Sequence, residues 1–282
     1  MYTSIISAKE CAQNIKDPDW CFVDCRFSID DTERGERDYR SAHIPGAVYA
    51  HLNRDLSAPV LPGKTGRHPL PDIETLVALF SKWGIDGSVQ VVAYDDATGG
   101  IAARLWWLLR YLGHERVAVL DGGWLAWQKQ GLPTETRVRK RQPRSFVSHP
   151  QPHLLVSTPE VEQHIETSAH RLIDSRAADR FSGENETIDP VAGHIPTAEN
   201  APYEHNLDGE GRFRDKSELR HRFEAVLDGQ SAEQTIFYCG SGVTACHNLL
   251  AMHHAGLGDG KLYLGSWSEW ITDPARPIVA KS

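Results

Sequence analysis

Short apolar runs alternate with stretches of helical periodicity along this chain. Four runs are short and mainly apolar, which is typical of parallel strands buried on both faces: residues 21–23, 89–94, 116–120 and 234–238. Five stretches carry apolar side chains at helical spacing: residues 73–83, 101–112, 159–164, 217–227 and 243–254. This alternation predicts an α/β fold with a mainly parallel sheet flanked by helices.

The second half of the chain repeats the first. Four motifs recur in the same order: VDCR at 23–26 with IDSR at 173–176, HIPGA at 43–47 with HIPTA at 194–198, VVAYD at 91–95 with TIFYC at 235–239, and GGWLAW at 122–127 with GSWSEW at 265–270. Their spacing changes by only a few residues, and it is far too long for a solenoid repeat. We therefore predict two tandem copies of one domain, residues 1–135 and 153–282.

Residues 136–152 interrupt the pattern with three prolines and several basic side chains. A nuclear signal or a nucleic-acid patch is one interpretation of this stretch, and a solvated linker is the favoured one. The whole chain carries 30 basic and 38 acidic residues, a net charge of -8, which disfavours partners that are nucleic acids or anionic membranes.

The chain shows no apolar run near the roughly 20 residues that span a bilayer, and its N-terminus does not resemble a signal peptide. Its five cysteines are an odd number and form no CxxC pair or cluster at zinc-finger spacing. We therefore expect free thiols, a reducing compartment such as the cytoplasm, and no metal site.

One cysteine stands in a pattern that predicts chemistry. Cys239 ends an apolar strand, Gly240, Ser241 and Gly242 form a tight turn, and a helix is predicted to begin near Val243. Such a turn directs backbone N–H groups into an anion-binding nest at a helix N-terminus. That field favours the thiolate, which is the nucleophilic form of cysteine.

The first copy and the other thiols provide an internal comparison. Asp95 stands in the first copy where Cys239 stands in the second, so the first domain is predicted to be non-catalytic. The remaining thiols are expected to be small buried side chains: Cys11, Cys21, Cys25 and Cys246.

The CGSGVTA loop at 239–245, both HIP segments, the DSRAADRF segment at 174–181 and the closing GSWSEW resemble the rhodanese family of tandem-domain sulfurtransferases. That family includes thiosulfate and 3-mercaptopyruvate sulfurtransferases. The resemblance spans nearly the whole chain and implies a rhodanese-like fold in each half.

The resemblance also implies a mechanism without a cofactor. The Cys239 thiolate takes sulfur from a small anionic donor, and the persulfide passes it to cyanide, a small thiol or a thioredoxin-like acceptor. Arg180 occupies the position of the donor-binding arginine, whose fork suits a carboxylate or sulfonate. The residues implied to stabilise the persulfide or contact the donor are those of the loop: Gly240, Ser241, Gly242, Val243 and Thr244.

Departures from the family pattern leave the preferred donor open between thiosulfate and 3-mercaptopyruvate. Ser241 is neutral where thiosulfate enzymes of the animal type carry a cation, and the loop is closer to mercaptopyruvate enzymes. His68 matches the histidine that acts with this serine, and either Asn53 or Asp55 is the candidate third member. The second donor-binding arginine has no counterpart near residues 188–190, and Arg67 is the candidate substitute.

Two other functions fit the sequence less well. A cysteine phosphatase needs an arginine six residues after the cysteine, and Ala245 stands there. A non-catalytic binding or regulatory module is the other alternative, and the intact Cys239 loop disfavours it for the second domain.

Overall fold

The computed structural model describes residues 1–167 and 170–280, and the chain folds into two units. The first unit comprises residues 1–58, 70–151 and 210–212, and the second comprises 59–69, 152–209 and 213–282. Residues 59–69 of the first repeat therefore belong to the second unit. The predicted linker, 136–152, belongs to the first unit as far as Gln151.

The first unit contains a five-stranded sheet in the order β1-β5-β4-β2-β3, in which every pairing is parallel. Its strands are β1 (Ile5–Ile6), β2 (Trp20–Asp24), β3 (Val48–Tyr49), β4 (Gln90–Tyr94) and β5 (Val117–Leu120). The central strand β4 is buried along its whole length, as its mainly apolar sequence predicts.

The second unit repeats this topology. Its strands are β6 (Leu155–Val156), β7 (Arg171–Asp174), β8 (Glu199–Asn200), β9 (Thr235–Tyr238) and β10 (Lys261–Tyr263). They pair in the order β6-β10-β9-β7-β8, again all parallel, which is the same permutation as in the first sheet. The predicted fold class, with two mainly parallel sheets flanked by helices, is confirmed.

Ten helices accompany the strands in the described residues: α1 (Ala8–Gln13), α2 (Arg34–Ser41), α3 (Ile73–Lys82), α4 (Ala102–Tyr111), α5 (Gly123–Lys129), α6 (Thr158–Thr167), α7 (Ala178–Ser182), α8 (Lys216–Leu227), α9 (Ala245–His254) and α10 (Ser266–Trp270). No helix among residues 1–167 and 170–280 is long and apolar enough to cross a bilayer.

Each unit contains a buried Asp–Arg ion pair whose arginine lies over a tryptophan ring. Asp24 and Arg26 form a buried ion pair at 2.6 Å, and the Arg26 guanidinium lies over the ring of Trp124. In the second unit Asp174 and Arg176 form the same 2.6 Å pair, and Arg176 lies over Trp267. Repetition of so specific an arrangement explains why the VDCR, IDSR and tryptophan motifs recur in the sequence.

The basic stretch after the first repeat is held against the first unit. Arg144 forms ion pairs with Asp19 at 2.7 Å and with Asp86 at 3.3 Å, and Arg141 Nε donates to the Trp83 carbonyl at 2.9 Å. These arginines are therefore engaged by their own unit.

Candidate active site

Cys239 follows β9 directly and lies at the carboxyl edge of the second sheet. It is 1% exposed. Its N–H donates to Ser266 Oγ at 3.1 Å, and its carbonyl accepts from the Trp267 N–H at 3.0 Å. Both partners come from the closing motif of the second repeat, so this motif fixes the backbone on either side of the thiol.

The turn after Cys239 depends on glycine. Gly242 has a φ of +70°, and a Cβ there would lie 2.3 Å from the Leu264 carbonyl oxygen. The Gly240 carbonyl accepts from the Ser268 N–H at 2.9 Å. Helix α9 begins at Ala245, two residues later than predicted, because the left-handed Gly242 keeps the backbone in the turn.

The equivalent loop of the first unit shows what such a turn does with an anion. Asp95, which is fully buried, directs its carboxylate into the turn before α4. It accepts four backbone N–H groups: Ala97 at 2.9 Å, Gly99 at 2.8 Å, Ile101 at 2.8 Å and Ala102 at 2.7 Å. Burial raises the pKa of Asp95, and these hydrogen bonds oppose the rise.

Cys239 stands at the corresponding position of the second unit. The carbonyl of Asp95 accepts from Trp124 N–H at 2.8 Å, just as that of Cys239 accepts from Trp267. The two loops therefore share their anchoring, and they differ in the side chain that the turn receives.

Ser241 and His68 form a hydrogen-bonded pair inside the second unit. The Ser241 Oγ lies 2.8 Å from the His68 Nδ1, and the two residues are 7% and 8% exposed. Ser241 is two residues from Cys239, so the pair can carry a proton to or from this loop.

The segment that carries His68 is anchored by the closing motif. Gly66 N–H donates to Glu269 Oε2 at 3.4 Å, and Arg67 N–H donates to Ser268 Oγ at 3.1 Å. A Cβ on Gly66 would lie 2.6 Å from the Gly265 carbonyl oxygen, so the close approach requires glycine.

The sequence motifs did not identify Ser268 and Glu269 as residues that anchor the segment carrying His68. A signal was present, because the first copy has Leu125 and Ala126 where the second copy has this serine and this glutamate. Polar residues at two otherwise repeated positions indicate a function that only one copy performs.

Arg180 lies on the short helix α7 and is held by two acids. Its Nε lies 3.1 Å from both carboxylate oxygens of Glu186, and its Nη2 lies 2.9 Å from Glu186 and 3.0 Å from Asp189. Side chains of both acids are 2% exposed, whereas that of Arg180 is 17% exposed. Glu186 and Asp189 therefore hold the guanidinium group of Arg180 in place, and no sequence motif indicated either residue.

Arg67 reaches the same place from the other segment. Its Nη1 forms an ion pair with Asp189. A Cβ built on Gly240 would lie 2.8 Å from Arg67 Nη2 and 3.5 Å from Arg180 Nη2. Both guanidinium groups therefore converge on the first glycine of the cysteine loop.

The pKa values of Glu186 and Asp189 are shifted in opposite directions. For Glu186, burial raises the pKa, but hydrogen bonds from Arg180 and from two backbone N–H groups outweigh it and leave the pKa below its ordinary value. For Asp189, burial dominates and raises the pKa, although Arg67 and Arg180 both act to lower it.

Asn53 and Asp55, the two candidates for the third member of the pair with His68, belong to the first unit. Asp55 accepts from the His51 N–H at 2.7 Å, and the Asn53 N–H donates to His51 Nδ1 at 3.1 Å. Burial raises the pKa of Asp55. A role for either residue with His68 stays a prediction.

The other four cysteines are buried, as expected, and in the described part of the chain they form no disulfide. Burial raises the pKa of the Cys11 and Cys25 thiols, and it raises that of Cys21 to about 11. Cys246 lies in the first turn of α9, with its Sγ 3.4 Å from the Gly242 carbonyl oxygen. These thiols are in settings typical of packing.

Known proteins match this chain over nearly its whole length. A family model described as the rhodanese-like domain matches residues 7–130 and again residues 157–273. A protein of Pseudomonas aeruginosa named "Probable 3-mercaptopyruvate sulfurtransferase" is 46% identical over 276 residues, covering 98% of this chain and 97% of that protein.

Two further relatives extend the comparison. "Thiosulfate/3-mercaptopyruvate sulfurtransferase 2" of Arabidopsis thaliana is 32% identical over 310 residues, covering 99% of this chain and 87% of that protein. The crystal structure of a 3-mercaptopyruvate sulfotransferase from Escherichia coli superposes with a TM-score of 0.80 at 32% identity, covering 95% of this chain and 100% of that one.

Proposed function

The chain belongs to the rhodanese family and is a sulfurtransferase, and on that premise we propose that it moves a sulfane sulfur through a persulfide on Cys239. The donor is 3-mercaptopyruvate or thiosulfate, the two named in the titles of its relatives. The observation that carries this proposal is the position of Cys239 in a turn whose counterpart binds a carboxylate through four N–H groups.

In the first half-reaction, the Cys239 thiolate attacks the transferable sulfur of the donor, which is the thiol sulfur of 3-mercaptopyruvate or the outer sulfur of thiosulfate, and forms an S–S bond. With 3-mercaptopyruvate the C–S bond breaks, and its electron pair leaves with the enolate of pyruvate, which takes up a proton. With thiosulfate the S–S bond breaks and sulfite leaves with the electron pair. No outside oxidant is needed for either donor. The outer sulfur of thiosulfate is already at the sulfane level, and the thiol sulfur of 3-mercaptopyruvate is oxidised to that level as carbon 3 keeps the electron pair of the broken C–S bond and is reduced to the methyl carbon of pyruvate.

The turn stabilises the charge that develops on sulfur. The Asp95 loop supports this role, since the same fold element there holds a buried carboxylate through four backbone N–H groups. The outer sulfur of the persulfide takes the place of that carboxylate in the second unit, against the backbone of Gly240, Ser241, Gly242, Val243 and Thr244.

Arg180 orients the donor. A guanidinium fork suits a carboxylate or a sulfonate-like group, and Glu186 limits the rotamers that Arg180 can adopt. Its 17% exposed side chain remains reachable by a small anion.

The Ser241–His68 pair handles the proton. Departure of the enolate of pyruvate requires protonation, and Ser241 Oγ can deliver the proton while His68 Nδ1 exchanges it. Sulfite leaves as a stable anion and needs no such step, so the pair matters more for the mercaptopyruvate reaction.

A nucleophilic acceptor completes the cycle. Cyanide, a small thiol or the thiolate of a thioredoxin-like protein attacks the outer sulfur, and Cys239 leaves as a thiolate ready for the next donor. The five free thiols suit a reducing compartment such as the cytoplasm, where thiol acceptors are abundant.

The test is steady-state turnover of each donor with cyanide as acceptor, for wild type, Cys239→Ser and Cys246→Ala. Cys246 is a matched control because it is a buried thiol of the same loop-helix element. Turnover that is lost in Cys239→Ser and retained in Cys246→Ala supports the proposal. Activity that survives in Cys239→Ser contradicts it.

A further inference from the structure

Three arginines and three acids form one connected cluster beside the cysteine loop. Its ion pairs are Arg67–Asp189, Arg180–Asp189 at 3.0 Å, Arg180–Glu186 at 2.9 Å, Arg176–Glu186 at 3.3 Å and Arg176–Asp174 at 2.6 Å. With every group ionised, the positive and negative charges cancel. The cluster as a whole therefore has no net positive charge, although a donor would meet its guanidinium groups.

Exposure separates the two signs. Side chains of Arg67 and Arg180 are 27% and 17% exposed, whereas those of Asp189 and Glu186 are 2% exposed. A donor at Gly240 would contact the guanidinium groups. Asp189 would affect the donor by holding these two groups in place and by its own negative charge. Asp189 is thus a positioning residue, because it touches Arg67 and Arg180.

We infer that Asp189 tunes this site for donors that carry a single negative charge, with Arg67 as the second cation of the donor site. This inference rests on the proposed function. 3-Mercaptopyruvate with a neutral thiol carries one negative charge, and thiosulfate carries two. A fixed carboxylate between the two guanidinium groups repels both donors, and it repels the dianion about twice as strongly.

The inference predicts opposite effects from removing the two partners. Asp189→Asn leaves a surplus positive charge at the loop, which favours thiosulfate. Arg67→Met leaves Asp189 with one fewer counter-charge and removes a donor contact, which disfavours thiosulfate. Arg67→Met/Asp189→Asn restores the charge balance, so the donor preference returns towards that of wild type.

The experiment measures kcat/KM for thiosulfate and for 3-mercaptopyruvate in wild type and these three variants, with Glu184→Gln as control. Glu184 lies on the same loop, is exposed and is not one of the six residues of the cluster, so its substitution removes one negative charge from outside the cluster. The readout is the ratio of the two kcat/KM values, which a general loss of activity does not change.

We expect the thiosulfate-to-mercaptopyruvate ratio to rise about tenfold in Asp189→Asn and to fall about tenfold in Arg67→Met. The double variant should lie within about threefold of wild type, and Glu184→Gln within about twofold. A ratio that is unchanged in both single variants, or that moves in the same direction in both, overturns the inference.

Two controls keep this result interpretable. If Asp189→Asn does not fold, as judged by thermal unfolding, a fall of the ratio in Arg67→Met and its recovery in a folded double variant support the inference, and their absence overturns it. If wild type turns over neither donor, the proposed function fails instead. The two failures are therefore distinguishable.

Discussion

The Nδ1 atom of His68 lies 2.8 Å from the Oγ atom of Ser241, although 173 positions separate the two residues in the chain. This contact exists because residues 59–69, which belong to the first repeat by sequence, fold as part of the second unit. Ser268 and Glu269 hold that segment through the N–H groups of Arg67 and Gly66. One candidate site thus contains residues from both sequence copies.

Ser241→Ala is expected to lower kcat/KM for 3-mercaptopyruvate by about 100-fold, because the departing enolate of pyruvate loses its proton donor. Its effect on thiosulfate should be several-fold at most, since sulfite leaves without protonation. His68→Gln should reproduce this donor-selective loss, and the double variant should add little to either single one. Equal losses for both donors would contradict the proton role.

Two glycines of the loop should respond differently to alanine. Gly242→Ala places a Cβ 2.3 Å from a backbone oxygen at a φ of +70°, so the free energy of unfolding should fall by at least about 1–3 kcal/mol. Gly240 is not left-handed, and the three nearest atoms to a Cβ there, chain neighbours apart, are guanidinium nitrogens of Arg67 and Arg180.

Gly240→Ala should therefore leave the free energy of unfolding within about 0.5 kcal/mol of wild type while raising the KM for the donor. Urea unfolding and steady-state kinetics measure the two effects. A destabilised Gly240→Ala with an unchanged KM would show that the guanidinium groups do not face the donor.

The buried thiol of Cys21 should make the free energy of unfolding fall at alkaline pH. Burial raises its pKa to about 11 from an ordinary value near 9, so the folded state holds the proton after the unfolded state has released it. This contribution to stability is complete below pH 9 and is lost as the pH rises from 9 to 11.

Between pH 8 and pH 10.5, wild type should therefore lose about 2 kcal/mol more of its unfolding free energy than Cys21→Ala. Urea unfolding of both proteins at the two pH values measures the difference, and the cavity left by the substitution cancels in it. An equal loss in both proteins would contradict the raised pKa.

Sequence patterns predicted β2, β4, β5, β9 and the five longest helices closely, but they did not single out β7 and β10. Residues 89–94 and 234–238 were predicted as strands, and β4 and β9 begin one residue later in each case. Continuous apolar runs reveal such strands because both faces of a parallel sheet are covered. The two-residue strands β1, β3, β6 and β8 escaped prediction, since two residues carry no periodicity.

The cysteine loop could also be located from the sequence, because its glycines and its position after a buried strand are local features. The partners of the two arginines could not. Asp189 contacts Arg67 across 122 positions, and no local pattern indicates that pairing. No sequence pattern singles out Glu186, whose side chain the fold buries against Arg176 and Arg180.

The most direct test of the central claim is mass spectrometry of the protein after exposure to each donor without an acceptor. The account predicts one added sulfur atom, located on the peptide that contains Cys239, and its release as thiocyanate when cyanide is added. Cys239→Ser should gain no sulfur, and Cys246→Ala should gain one. Sulfur found on another cysteine, or turnover without any sulfur on Cys239, would contradict the account.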